Sequence, residues 1–104
     1  MTKLSVGIAG CTGRMGLTLV QAALARSGIS LACGSERAGF DDTAVTAQLA
    51  TVGCKHLFVT SDVARFVAAA DAIIDFTTPE ASLANAKAVA DKGGVHIVGT
   101  TGFT

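Results

Sequence analysis

The chain of 104 residues has the length of one domain, and its eight Lys and Arg residues balance eight Asp and Glu residues, so its formal net charge is zero. No basic patch in the sequence points to nucleic acid or an anionic membrane as a partner. No apolar run approaches the roughly 18 residues of a membrane span, and the N-terminus lacks a signal-peptide cleavage pattern. These features predict a cytoplasmic protein.

The cysteines and the low charge content set two further limits. The three cysteines are an odd number without Cys-x-x-Cys spacing, so we expect neither a disulfide framework nor a metal site. Buried or half-buried structural thiols are the prediction. Charged residues make up 15% of the chain, against about 25% in typical soluble domains. We therefore expect some of its apolar surface to lie against other protein.

Apolar, β-branched runs alternate with helical stretches, which is typical of βαβ units and a parallel sheet. Strands are predicted at 4–9, 30–34, 57–60, 72–76 and 95–99, and helices at 14–27, 62–70 and 79–92. The segment between the second and third strands has no clean period and is predicted as a long loop with one short helix starting near Asp42. The pattern predicts an α/β protein with a Rossmann-like doubly wound parallel sheet in a single domain, 1–104.

Local signals define several helix boundaries. Ser61 and Thr78 are predicted N-caps, Pro79 suits the first helical position, and Gly93 is predicted to end the last helix in the left-handed region. In the first helix, spacings of three and four predict a buried face made of Met15, Leu19, Val20, Ala23 and Leu24.

Three glycines, Gly10, Gly13 and Gly16, separate the first strand from the first helix. Gly10 permits the tight turn, Gly13 lets the backbone approach a pyrophosphate, and Gly16 lets the helix pack closely on the sheet. The free amides of the helix N-terminus would attract the phosphates. Such loops also occur merely to let a helix turn tightly, but the flanking strand and helix favour dinucleotide binding.

Three charged residues fit the same ligand. Arg14 in the first helical turn opposes the helix dipole by roughly 0.3–1 kcal/mol, a penalty that a bound phosphate would reverse; the alternative is that it points into solvent. Glu36 stands 20 positions after Gly16, where an acidic residue bonds ribose hydroxyls. Its neighbour Arg37 suits a 2′-phosphate or stacks on adenine, and the alternative is a solvated surface pair.

Four segments, "GIAGCTGRMG", "SER", "DFTTPE" and "GTTGF", follow one another in an order that resembles the N-terminal domain of the 4-hydroxy-tetrahydrodipicolinate (dihydrodipicolinate) reductase family. These are nicotinamide-dependent enzymes of the diaminopimelate route to lysine. The resemblance implies NADPH or NADH as the cofactor and a cyclic, unsaturated dicarboxylate as the substrate. The cofactor contacts that it implies are Gly10, Cys11, Thr12, Gly13, Arg14 and Met15 in the glycine loop, Glu36 and Arg37 at the adenosine ribose, and Phe76, Thr77, Gly99, Thr100 and Thr101 on the nicotinamide side.

The family's chains continue into a second domain that binds substrate, supplies the proton and builds a homotetramer. Because this sequence has no segment that resembles it, we expect the chain to hold the cofactor-binding part and no catalytic residue. His56 and His96 are predicted to be structural. Two alternatives stay open: a non-catalytic NAD(P)-sensing module, and the nucleotide half of another dehydrogenase, against which "GTTGF" argues by resemblance.

Overall fold

The computed structural model describes residues 3–99 of the chain. The elements run in the order β1 (Leu4–Ala9), α1 (Arg14–Ala25), β2 (Ile29–Ser35), α2 (Asp42–Thr51), β3 (Phe58–Thr60), α3 (Val63–Ala68), β4 (Ala72–Asp75), α4 (Pro79–Lys92) and β5 (Val95–Val98). Within these residues the strands form a parallel sheet in the order β3-β2-β1-β4-β5. The predicted Rossmann-like α/β fold is confirmed.

The sheet is covered on both faces because the side chains of its central strand alternate in direction. Val6 and Ile8 of β1 pack with residues of α1 and α2, including Val20 and Leu49. Ala9 belongs to a second cluster, which holds residues of β2, α3, β4 and α4 and Ala70, which follows α3: Cys33, Phe66, Val67, Ala70, Ile73 and Val89. The strands of a sheet buried on both faces are mostly apolar, as β1 and β4 are.

The buried face of α1 differs from the prediction. The buried residues are Gly16, Val20 and Ala23, whereas Met15 and Leu24 are nearly half exposed. A Cβ at Gly16 would overlap the carbonyl oxygen of Gly10, so the helix packs against the loop through the residue that has no side chain. Hydropathy assigns no weight to such a contact. The predicted face is confirmed at Val20 and Ala23 and wrong at Met15 and Leu24.

The helix predicted to start near Asp42 is confirmed: α2 begins at that residue, runs for ten residues and is capped by the Asp41 carboxylate, which accepts from the amide of Thr43 at 2.9 Å. The N-cap of α3 is Asp62, not Ser61, because the Asp62 carboxylate reaches the amide of Arg65 at 3.2 Å. Its own amide donates to the Thr60 hydroxyl, so the helix begins after Asp62.

The predicted limits of α4 are confirmed. The Thr78 hydroxyl accepts from the amide of Ala81 at 3.2 Å, and Pro79 occupies the first turn. Gly93 ends the helix with φ +89°, in the left-handed region that glycine tolerates best. These two local signals bring the chain back into β5 beside β4.

Strand β5 lies at one edge of the sheet and has an apolar exposed surface. Val95 and Ile97 are each more than half exposed, as is Leu83 on α4. These exposed apolar side chains lie at a sheet edge and on a helix surface.

Among residues 3–99 no helix is both long enough and apolar enough to cross a membrane.

Candidate functional site

A cavity of about 570 Å³ opens at the carboxyl ends of the strands, where the strand order reverses between β1 and β4. Ligands bind at this point in open α/β sheets. The residues that line it are Gly10, Gly13, Ser35, Glu36, Arg37, Ala38, Ser61, Val63, Phe76, Thr77, Thr78, Ala81 and Asn85. Six of them are predicted cofactor contacts, drawn from the loops after β1, β2 and β4.

A larger cavity, of about 680 Å³, lies between α2 and the edge strand β3, and His56 is among its lining residues. None of the predicted cofactor contacts lines it. We assign the candidate site to the smaller cavity, because three strand-end loops and the start of α1 converge there and volume alone does not define a binding site.

The three glycines of the loop meet different steric demands. Gly10 has φ +67°, and a Cβ there would lie 2.9 Å from the methyl group of Thr77. Gly16 is pressed against the backbone of Gly10 and Cys11. Gly13 is exposed and has an ordinary φ of −68°, and an added Cβ would meet only the Gly10 carbonyl oxygen, at 3.3 Å. The fold requires Gly10 and Gly16, whereas the side of Gly13 that faces the cavity is open.

The N-terminus of α1 differs from those of the other helices in residues 3–99. Asp41, Asp62 and Thr78 cap α2, α3 and α4 with their side chains. Gly13 has no side chain to offer α1, and the first turn contains no acidic residue. The first amides of α1 thus lack a side-chain acceptor at a helix end with partial positive charge. This geometry fits an anion.

Cys11 contributes to the loop through its backbone. Its side chain is fully buried, and its sulfur would lie 2.7 Å from a Cβ added at Gly34 of β2. Burial raises the pKa of the Cys11 thiol to about 12, with a further contribution from the Glu36 carboxylate. A thiol held neutral beneath the loop is a packing group, which agrees with the structural role predicted for the cysteines.

Glu36 connects the end of β2 with the glycine loop. Its carboxylate accepts the amide of Thr12 at 3.0 Å, and its own amide donates to the carbonyl of Thr60. Glu36 is therefore half-buried and fixed at the cavity wall, whereas Arg37 beside it is exposed. The carboxylate reads as part of the loop's support rather than as one member of a solvated pair.

Arg14 and Met15 are exposed at the start of α1 and do not line the cavity. Their predicted contacts with a cofactor stay predictions. Thr12 also lies outside the lining and is half-buried beside Glu36. The cavity is thus lined by glycines of the loop and by residues at the end of β2, and not by the first residues of α1.

The two predicted nicotinamide-side segments meet at Phe76 and Gly99. A Cβ at Gly99 would overlap the Phe76 ring, so the ring lies directly against that glycine. The amide of Gly99 donates to the carbonyl of Asp75 at 2.8 Å, extending the pairing of β4 with β5. Thr100 and Thr101, the remaining predicted contacts, lie outside the described residues.

Sequence reasoning missed the cluster of hydrogen-bonded polar side chains beneath this loop, which is centred on Asp75. Asp75 is fully buried, and its carboxylate accepts from Thr77, from Asn85 of α4 and from His96 of β5. Burial alone raises the pKa of Asp75, but hydrogen bonds from Asn85, Thr77 and His96 outweigh this effect and lower it to about 2. The acid within the apolar run "AIIDF" was the available signal, because buried carboxylates need partners.

The two histidines differ. The Nε2 atom of His96 lies 3.0 Å from Oδ2 of Asp75, which gives His96 the structural role that was predicted. His56 is exposed, so the structure gives it no buried contacts, and its predicted structural role stays a prediction.

The family model described as dihydrodipicolinate reductase, N-terminus, matches residues 4–104. The chain belongs to this family. It is 38% identical over 101 residues to the 4-hydroxy-tetrahydrodipicolinate reductase of Ralstonia nicotianae, and 36% identical over 104 residues to that of Aromatoleum aromaticum. These alignments cover 97% and 100% of the chain but 38% of each relative.

Solved structures agree with the fold of this reductase domain. The dipicolinate-bound dihydrodipicolinate reductase from Paenisporosarcina sp. TG-14 superposes with a TM-score of 0.75 at 19% identity, covering 99% of this chain and 39% of that one. An isoflavone reductase gives a TM-score of 0.67 at 16% identity, covering 90% of this chain and 34% of that one. Since the chain spans about two fifths of the length of its curated relatives, family membership here concerns the N-terminal domain.

Proposed function

We propose that this chain binds a reduced nicotinamide dinucleotide and acts as the cofactor-binding part of a 4-hydroxy-tetrahydrodipicolinate reductase in the diaminopimelate route to lysine. The observation that carries the proposal is the convergence of three loops on one cavity. Glycines that follow β1, an acid and an arginine that follow β2, and Phe76 with Thr77 after β4 all line it.

Different residues of the cavity fit different parts of a dinucleotide. The start of α1 has amides without a side-chain acceptor and an open side at Gly13, which suit a pyrophosphate. Glu36 is held where it can accept from ribose hydroxyls. The bound cofactor supplies the hydride, and the protein supplies position and electrostatics.

Cofactor preference follows from the pair at the end of β2. Glu36 accepts from both hydroxyls of an unmodified ribose and repels a 2′-phosphate, whereas Arg37 attracts that phosphate. Because Arg37 is exposed and lines the same cavity as Glu36, we infer that the chain accepts both NADH and NADPH. The substrate, in this proposal, is a cyclic unsaturated dicarboxylate, and the site of action is the cytoplasm.

Family membership argues against the nucleotide half of an unrelated dehydrogenase. Titration of the chain with NADH and with NADPH by isothermal calorimetry tests the proposal. We expect saturable binding of each with one site per chain. A chain that keeps its circular-dichroism spectrum and its cooperative melting, yet binds neither dinucleotide, would refute it.

A further inference from the structure

Asp75 is a buried carboxylate at the end of β4, directly beneath the loop that would face the nicotinamide. Its Oδ1 atom accepts the amide of Thr77 at 3.0 Å and the Thr77 hydroxyl at 2.5 Å. Its Oδ2 atom accepts Nδ2 of Asn85 at 2.9 Å and Nε2 of His96 at 3.0 Å. A loop, a helix and the neighbouring strand are therefore joined at one carboxylate.

The charge of Asp75 determines the direction of each hydrogen bond. Its hydrogen bonds lower the pKa to about 2 in spite of burial, so the group is ionised at neutral pH. An ionised carboxylate only accepts, which requires that Asn85 present its amide nitrogen and that His96 carry its proton on Nε2. Hydrogen bonds to a charged group are the stronger class, and a neutral replacement could not satisfy the same donors.

The loop residues held by Asp75 also contact the rest of the site. Thr77 points its hydroxyl at Asp75 and its methyl group at Gly10, where only a glycine leaves room. The main-chain carbonyl of Asp75 accepts from Gly99, and Gly99 lies against the Phe76 ring. A carboxylate that served only to attach α4 would need Asn85 alone, but Asp75 fixes Thr77 through two donors.

We propose that Asp75 is a positioning residue for the nicotinamide half of the cofactor site. It holds Thr77, and with it the neighbouring Phe76, in place beside Gly99, and His96 of β5 is its hydrogen-bond partner. This rests on the proposed function, because it assigns the loop after β4 to the nicotinamide. Asp75 touches no cofactor atom in this assignment and acts through the loop that it holds.

The test compares NADH with ADP-ribose, which has the same two phosphates and two riboses but lacks the nicotinamide. In Asp75→Asn the side-chain nitrogen cannot accept a hydrogen bond from the donors that it faces, so we expect the loop to shift. We expect the dissociation constant for NADH to rise about tenfold, while that for ADP-ribose changes by less than about twofold. Equal losses for both ligands, or no loss for either, would overturn the proposal.

A second pair of variants decides the question even if Asp75→Asn does not fold. His96→Gln can still donate a hydrogen bond to Asp75 Oδ2, whereas His96→Leu cannot. We expect His96→Leu to weaken NADH binding relative to ADP-ribose and His96→Gln to restore the wild-type ratio. A His96→Leu chain with the wild-type ratio would count against the positioning role.

The wild-type control separates the two levels of inference. If the wild-type chain binds ADP-ribose and NADH, only the variants bear on Asp75, and a negative result there leaves the proposed function standing. If the folded wild-type chain binds neither ligand, the proposed function fails, and the role of Asp75 fails with it.

Discussion

Replacing Gly13 with valine tests the phosphate-binding loop at the residue where fold and ligand make different demands. The backbone of Gly13 has φ −68° and ψ 170°, which any L-residue adopts. An added Cβ would meet only the Gly10 carbonyl oxygen, at 3.3 Å, so accommodation requires that this carbonyl move by a few tenths of an ångström. The same Cβ, and more so the two methyl groups of valine, would occupy the space over the first amides of α1 that we assign to the pyrophosphate.

The size of the effect follows from the hydrogen bonds at stake. Each charge-assisted bond between an amide and a phosphate is worth about 1.5–3 kcal/mol. Losing one of them weakens binding by roughly 10- to 100-fold. The change at an exposed N-cap without a side-chain hydrogen bond is worth about 1 kcal/mol or less in stability, and about 1 kcal/mol moves the melting temperature of a domain this size by roughly 4–8 °C.

Two further glycine variants serve as controls. Gly28→Val adds the same side chain where no atom lies within 4 Å of the new Cβ, far from the cavity, and should leave affinity unchanged. Gly16→Ala should instead lower the melting temperature, because its Cβ would overlap the Gly10 carbonyl oxygen. Calorimetric titration with NADH and thermal unfolding measure the two quantities. If Gly13→Val binds NADH as the wild type does, the pyrophosphate does not lie over Gly13.

Three other predictions concern charge and reactivity. Arg37→Ala should weaken NADPH binding about tenfold, the lower end of the range for an exposed and screened contact, and leave NADH binding unchanged; equal losses in parallel titrations would mean that Arg37 stacks on adenine or supports the loop. Because the pKa of Asp75 falls from 3.8 to about 2 on folding, it contributes about 2 kcal/mol of stability above pH 4 that is lost as the pH falls toward 2. Denaturant unfolding from pH 5 to pH 2 should show this slope in the wild type and not in Asp75→Asn, and identical slopes would contradict it. Burial raises the pKa of Cys11 to about 12 and of Cys33 to about 11, so neither thiol should react with Ellman's reagent at pH 8 until the chain unfolds, and rapid native labelling of Cys11 would disprove its inward packing.

The sequence predicted the strands and the last helix well because their signals are local. A buried strand of a parallel sheet is a short β-branched run, and β1 and β4 have that form. The start of α4 follows from Thr78 and Pro79, and its end follows from Gly93. Each of these features depends on neighbours in the chain, so no knowledge of tertiary contacts was needed.

Where the sequence signal is weak or wrong, the structure depends on contacts that hydropathy does not record. The start of α2 near Asp42 was predicted correctly but its end was not, because α2 buries only Val45 and Leu49, which is too little to show a period in the sequence. In α1 the buried face starts at Gly16, a residue that has no side chain and gains its position from the loop it touches. Both cases are resolved by packing against other elements.

The polar group around Asp75 was out of reach for a different reason. Its donors come from positions 77, 85 and 96, on three elements whose neighbourhood is set by the strand order. An acid at the end of an apolar strand indicates that some partner exists, but it does not identify one. Only the parallel pairing of β4 with β5, and the return of α4 over them, brings Asn85 and His96 to the same carboxylate.

The glycine loop shows why a family's contact positions need to be divided into backbone and side-chain roles. Cys11 lies between Gly10 and Thr12 in a segment assigned to the cofactor, yet its sulfur packs on Gly34 of β2, and its amide donates to the carbonyl of Ser35. The identity of this residue is therefore governed by the space above Gly34. Glu36, in contrast, accepts the amide of Thr12 with its carboxylate and is one of the residues that line the cavity. A ligand ribose would thus meet a carboxylate whose position is already fixed by the loop that receives the phosphates, and this coupling limits the motion that binding requires.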